Sequence, residues 1–319
     1  MKAASFGVTM SADKSAFSYN EPASMTISVT NRADVSYTVV GTLHLYDPAR
    51  QEIYSRTLDV TLPVSGTIAE RATFTSTAWA FGSYLVEWST SVGYGRTGAY
   101  NGSFAVPLPT LSVTVDLPSM LGATTPVTAN VANVGTVNAP TGTLRITLTN
   151  PAGAIVWQYN EDVRLAAGAR LTRPLNMTAG TLMLGAYQLR SDFTLSELGV
   201  RTVGSSRDLF ASLAAALALD RSSYRVRDTA QTTLRLQNSG DFTLAPTVTL
   251  TMPDIGFSQS QQVALAPGQA TTLTYALNLP ANLPVGAHNV IATQLLSTTI
   301  AQTTTLLIPE AHIVASQLT

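Results

Sequence analysis

Apolar and polar residues alternate one by one along most of this chain, in short runs broken by Gly, Pro, Asn or Asp at intervals of roughly ten residues. In MTISV, Met25, Ile27 and Val29 fall on one side of an extended backbone, with Thr26 and Ser28 on the other. Leu234 and Leu236 repeat the pattern farther along. Period-two alternation is what a strand with one buried and one wet face requires. A helix competes only at Leu209 to Leu219. There the alignment of LFASLAAALALD with FAVPLPTLSVTVD favours strands. The pattern predicts an all-β chain.

The strands recur in a fixed order. Runs ending in Asn appear as MTISVTNRAD (Asn31), VTANVANVGT (Asn133) and TTLRLQNSGD (Asn238), 102 and 105 residues apart. A Gly-x-aromatic step follows in each repeat as GSYLVEW (Gly82), GAYQLRS (Gly185) and GAHNVIA (Gly286), 103 and 101 residues apart. Between them lie a strand, a Pro/Gly/Asp turn, a second strand, a short turn and a third strand, which makes about seven strands per repeat. The predicted fold is three tandem seven-stranded Ig-like β-sandwiches in an elongated array, spanning residues 1–106, 107–212 and 213–309. Residues 310–319 are left over. Because TLLIPEAHIVASQLT aligns with SFAVPLPTLSVTVDL, the segment Ile313, Val314, Ala315, Ser316, Gln317, Leu318 reads as the first strand of a further repeat or as a strand donated to a neighbouring subunit.

The motifs NVGT at Asn133, NSGD at Asn238 and LAPGQ at Leu265 resemble those of the bacterial cell-adhesion-related (CARDB) domain family and neighbouring Ig-like modules. The first repeat departs, with NRAD in place of N-x-G. The resemblance implies a sandwich found in tandem in secreted or surface proteins, and no catalytic residue. The residues also have a physical reading. An Asn at a strand end tolerates positive φ or closes an Asx turn, and a Gly two residues later would supply positive φ. Tyr84 and Tyr187 stand where a tyrosine corner is expected, with His288 in their place in the third repeat. Val86, Leu189 and Val290 occupy the position of the strand-F Cys of antibody domains, so packing is expected to replace the disulfide.

Composition narrows the function. The chain has 319 residues, no Cys, 18 basic and 19 acidic residues and a net charge of −1. No thiolate site or disulfide can form, and no basic stripe addresses nucleic acid. The 12% charged residues are about half the usual share, with Thr, Ser, Ala and Asn taking surface positions. No run is long enough to cross a bilayer as a helix, so no membrane insertion is expected. The joint VPLP (Val106 to Pro109) is short and stiff. Three sandwiches end to end would span roughly 100 to 130 Å.

Candidate chemistry is sparse. His44, His288 and His312 show no metal-ligand spacing. Asp13, Asp116 and Asp220 read as one strand-end cap per repeat, with calcium at the joints as the competing reading. No Ser/His/Asp set, paired carboxylates or glycine-rich phosphate loop repeats, so no enzyme and no cofactor are expected. Tyr94, Arg96 and Tyr100, in YGRTGAY, form a candidate ligand loop for a glycan. Asn101-Gly-Ser and Asn176-Met-Thr match the N-glycosylation pattern. The expected function is a non-enzymatic extracellular repeat protein of a bacterial surface stalk, fibre or appendage, with neighbouring repeats or identical subunits as partners. The alternatives are an accessory glycan- or protein-binding module of an adhesin or secreted enzyme, and a filament subunit using strand exchange.

Overall fold

The computed structural model describes residues 5–76, 79–92, 96–195 and 200–310. Among these the chain is all-β, with a single 3-10 turn, Pro253–Ile255. The first repeat supplies β1 (Phe6–Ala12), β2 (Ala23–Asn31), β3 (Tyr37–Tyr46), β4 (Glu52–Leu62), β5 (Thr67–Phe74), β6 (Gly82–Val92) and β7 (Arg96–Val106). The second supplies β8 (Leu111–Asp116), β9 (Thr124–Asn133), β10 (Gly142–Thr149), β11 (Ile155–Val163), β12 (Arg170–Thr178), β13 (Gly185–Leu195) and β14 (Val200–Ala211). The third supplies β15 (Leu213–Leu219), β16 (Thr229–Asn238), β17 (Thr247–Met252), β18 (Phe257–Gln262), β19 (Ala270–Asn278), β20 (Gly286–Leu295) and β21 (Thr299–Ile308). The ambiguous run Leu209 to Leu219 is strand, the end of β14 and all of β15.

These strands form antiparallel sheets, none closed. The same two strand orders appear three times: β1-β2-β5 with β4-β3-β6-β7, β8-β9-β12 with β11-β10-β13-β14, and β15-β16-β19 with β18-β17-β20-β21. Met25, Ile27, Val29, Leu234 and Leu236 are buried, as their alternation predicts. Three hydrophobic clusters result, each joining side chains from a three-stranded and a four-stranded sheet. Val86, Leu189 and Val290 lie inside them. Pro174, in β12, removes a donor from an edge strand, where no partner needs it.

The repeated Asn is a clamp. Asn31, Asn133 and Asn238 are at most 2% exposed. Each amide nitrogen donates to the carbonyl four residues on (Val35, Val137, Phe242) and to a carbonyl before the next turn (Pro63, Leu165, Leu265). Each Oδ1 accepts from the backbone two residues on. One buried side chain thus closes an Asx turn and ties it to a second loop, satisfying backbone groups that burial would otherwise strand.

Positive φ falls elsewhere than expected. Gly135 and Gly240, in the N-x-G motif, do not adopt it; Gly82, Gly185 and Gly286, in the Gly-x-aromatic step, do, at 130° to 137°. The N-x-G glycines answer a close approach instead. A Cβ at Gly240 would lie 2.3 Å from the Phe210 carbonyl oxygen, and one at Gly135 would lie 2.9 Å from the Thr110 nitrogen. The aspartates need a second correction. Ladder register makes Asp13 and Asp220 equivalent, since each donates its N–H to the partner strand (Ser24, Gln231), but puts Pro118 at that place in the second repeat. Asp116 sits two residues earlier, accepting from Asn130.

The corner residues keep their role with altered chemistry. The Tyr84 hydroxyl donates to the Ala80 carbonyl, while the Tyr187 hydroxyl accepts from the Met183 N–H. His288 spans the same four-residue step to the Pro284 carbonyl at 2.9 Å, its Nδ1 2.6 Å from Asp254. Burial disfavours its charged form, yet the hydrogen bonds to Asp254 and Pro284 and the Asp254 charge outweigh it and hold the imidazole pKa above its ordinary 6.5.

Candidate functional site

The residues singled out for chemistry do not converge. Among the described residues no three His, Asp or Glu gather closely enough to hold a metal ion. His44 contacts Glu52 and Ser89 and stacks on Tyr46. Glu161, which neighbours Asp162 in the sequence and is not among those candidates, is held by Arg173, whose guanidinium keeps the carboxyl below its usual range despite partial burial, and by the Tyr159 hydroxyl. Asp220 serves Tyr224 and the Gln231 N–H. These groups satisfy one another as structural contacts. In the candidate ligand loop, Tyr94 lies outside the described residues and Arg96 opens β7. Tyr100 is half-buried between Phe6 and Trp88, 6.0 and 6.3 Å away between ring centres, beside a groove of about 400 Å³ over Gly41 and Gly98. Trp79 and Trp88 are buried. Asn101 and Asn176 both stand exposed within strands. The assembly strand Ile313 to Leu318 lies outside the described residues.

What the fold does build is a pair of joints. Each repeat has a leading end, with the turn after its clamp Asn, and a trailing end, with the loops before its second and sixth strands. At the first joint Asn138 N–H donates to the Ser18 hydroxyl at 3.0 Å. Phe81 packs against the clusters of both repeats, with its ring 5.7 Å from Tyr19. Val137, four residues after the clamp Asn, is 5% exposed.

The second joint uses the same positions but goes deeper. The residue after each clamp Asn donates to the carbonyl of the residue before its own repeat's first strand (Arg32 to Ser5, Val134 to Thr110, Ser239 to Ser212), so that bond belongs to every repeat and not to the joint. Across the joint, Asp241 N–H donates to the Phe210 carbonyl and its carboxylate accepts the Phe210 N–H at 2.7 Å. Leu121 N–H donates to the Asp241 carbonyl, and Thr243 N–H donates to the Leu121 carbonyl. The segment Asp241 to Thr243 is therefore laid between the β8–β9 loop and β14. Phe242, equivalent to Val137, is fully buried in the second repeat's cluster, 5.0 Å from the Tyr187 ring.

The reason lies in loop length. The β1–β2 loop has ten residues and the β15–β16 loop nine, and each returns an aromatic to its own core. Phe17 N–H donates to Ala105 and Tyr224 N–H to Leu307, both rings buried. Register makes Ala105, Phe210 and Leu307 equivalent. The β8–β9 loop has seven residues and no aromatic, so the Phe210 carbonyl and the gap above Tyr187 are filled by the third repeat. Sequence reasoning missed Phe242. The absence of an aromatic from LPSMLGA alone among the three loops was the available signal.

No protein-family model matches the chain, and no curated protein shows significant similarity to it.

Proposed function

We propose that this chain is a non-enzymatic structural repeat protein: three tandem seven-stranded Ig-like sandwiches, close to residues 1–106, 107–212 and 213–309, arranged as a stiff element of a bacterial surface stalk, fibre or appendage. Its work is mechanical. The observation that carries the reading is that the leading ends of the second and third repeats are hydrogen-bonded to the trailing end before them, through Ser18 at one joint and Phe210 and Leu121 at the other. Joints bonded on both sides transmit force and orientation, which a flexible spacer does not. The CARDB-like motifs agree with tandem use outside the cell. Small-angle scattering on the dilute chain tests it: a maximum dimension of roughly 100 to 130 Å is expected for three sandwiches in line. A compact particle would overturn the proposal, and specific binding on a glycan array would shift it to the accessory-module alternative.

A further inference from the structure

We propose that copies of this chain associate head to tail, the leading end of the first repeat docking on the trailing end of the third in the manner of the first joint. The inference rests on the structural reading above and supplies its partner, a second copy of the chain. Three positions carry it. Val137 is 5% exposed at the first joint, whereas its equivalent at the first repeat's leading end, Val35, is 54% exposed. Phe81 packs on both repeats there, whereas its equivalent before the third Gly-x-aromatic step, Val285, is 56% exposed. Tyr19, two residues after the core aromatic Phe17, is covered, whereas Val226, two after Tyr224, is 37% exposed. Each position is apolar in both places and less exposed at the first joint than at the outer end of the first or third repeat.

The two outer ends also match in kind. The trailing end of the third repeat fills its own core with Tyr224, as the first does with Phe17, so it needs no inserted Phe. The leading end of the first repeat offers Val35 instead of an aromatic, as the second offers Val137. Both outer surfaces are therefore of the shallow type. A cleft of about 510 Å³ lined by Tyr224, Arg225, Val226, Val285, Ile308 and Glu310 stands ready for the Val35 turn. The cleft carries Arg225 and Glu310, and the Val35 turn carries Asp34 and Arg32, so each surface offers one charge of each sign to the other. Such a contact is heterologous, so each docking leaves both ends open and copies add in an open series. Resting on three apolar positions, it is expected to be weak alone and effective at high local concentration.

Sedimentation velocity on the whole chain, from about 1 μM to about 1 mM, should show mass rising with concentration. Val35→Asp and Val285→Asp should each weaken association at least about tenfold, and Val40→Asp, on an exposed sheet face, should leave it unchanged. Because the chain has no Cys, the double variant Val35→Cys/Val285→Cys should give a ladder of disulfide-linked copies on mild oxidation, and either single variant at most a dimer. A single-copy mass throughout would overturn the proposal. So would association that survives both Asp variants, or that is lost on deleting residues 311–319 while resisting Val285→Asp. A dilute chain that is elongated but never associates would sink this inference and leave the structural reading standing; a compact one would sink both.

Discussion

The two joints occupy the same positions in successive repeats, yet one is a contact between finished cores and the other completes a core. At the first, Asn138 is bonded to Ser18 on a trailing end already filled by Phe17. At the second, Phe242 enters the second repeat and becomes part of it. Three residues removed from one loop account for the difference, because the shorter β8–β9 loop can neither carry an aromatic nor cap Phe210. The second and third repeats should therefore behave as one cooperative block, with the first separable from it.

Phe242→Ala is the largest blow to that distinction. It removes a fully buried ring from the second repeat's core and should cost about 3–5 kcal/mol. Hydrogen exchange should show the loss in β13 and β14 as well as in the third repeat, although the substituted residue belongs to the latter by sequence. Phe17→Ala should cost a similar amount confined to β1–β7. Val137→Ala, at the shallow joint, should cost about 1–2 kcal/mol. Equal and purely local effects for Phe242→Ala and Phe17→Ala would show that the joints do not differ.

The glycines give a subtler test. An alanine at Gly240 meets the Phe210 carbonyl at 2.3 Å and backbone that cannot easily give way, so Gly240→Ala should cost about 1–3 kcal/mol and loosen the second joint. At Gly135 the nearest atom is 2.9 Å away and belongs to the linker. Gly135→Ala should cost less than about 1 kcal/mol. Thermal unfolding of both variants measures how tightly each linking strand is pressed onto the next leading turn.

Much of this was legible in the sequence, and the exceptions have a common cause. Alternation at Met25 to Val29 and the spacing of Asn31, Asn133 and Asn238 follow from local geometry, which each repeat satisfies alone. The corner role of His288 was readable for the same reason. What the sequence did not disclose depends on a neighbour. Gly135 and Gly240 look like turn glycines but answer the approach of the preceding strand. Asp116 looks equivalent to Asp13 but is displaced by the shorter loop that follows it. Phe242 looks like a residue of its own repeat but packs in another's core.

Turn glycines within the repeats provide a gentler probe of coupling. Ser65 holds the left-handed conformation, φ 53°, that Gly168 and Gly268 take in the later repeats. Ser65→Gly relieves that strain against a more flexible unfolded chain and should stabilise the first repeat by about 0.5–1 kcal/mol, moving its transition alone. Gly168→Ala, with open space around its Cβ, should cost about 1 kcal/mol through backbone strain. If the second joint couples as its geometry implies, that loss appears in the shared transition of the second and third repeats.

The mildest perturbation needs no substitution. His288 has its pKa raised in the folded chain, so its interactions with Asp254 and Pro284 contribute stability that is fully present below the ordinary value of 6.5 and is lost as pH rises through the folded value. The third repeat should thus unfold more readily at pH 8 than at pH 6, and His288→Gln should flatten that dependence. Trp157, on β11, is the sole tryptophan of the second repeat, and the third has none. Its fluorescence should follow the same titration only if Phe242 binds the two repeats into one unit. The first repeat's Trp79 and Trp88, read separately by hydrogen exchange of the strands around them, should not respond to His288 at all.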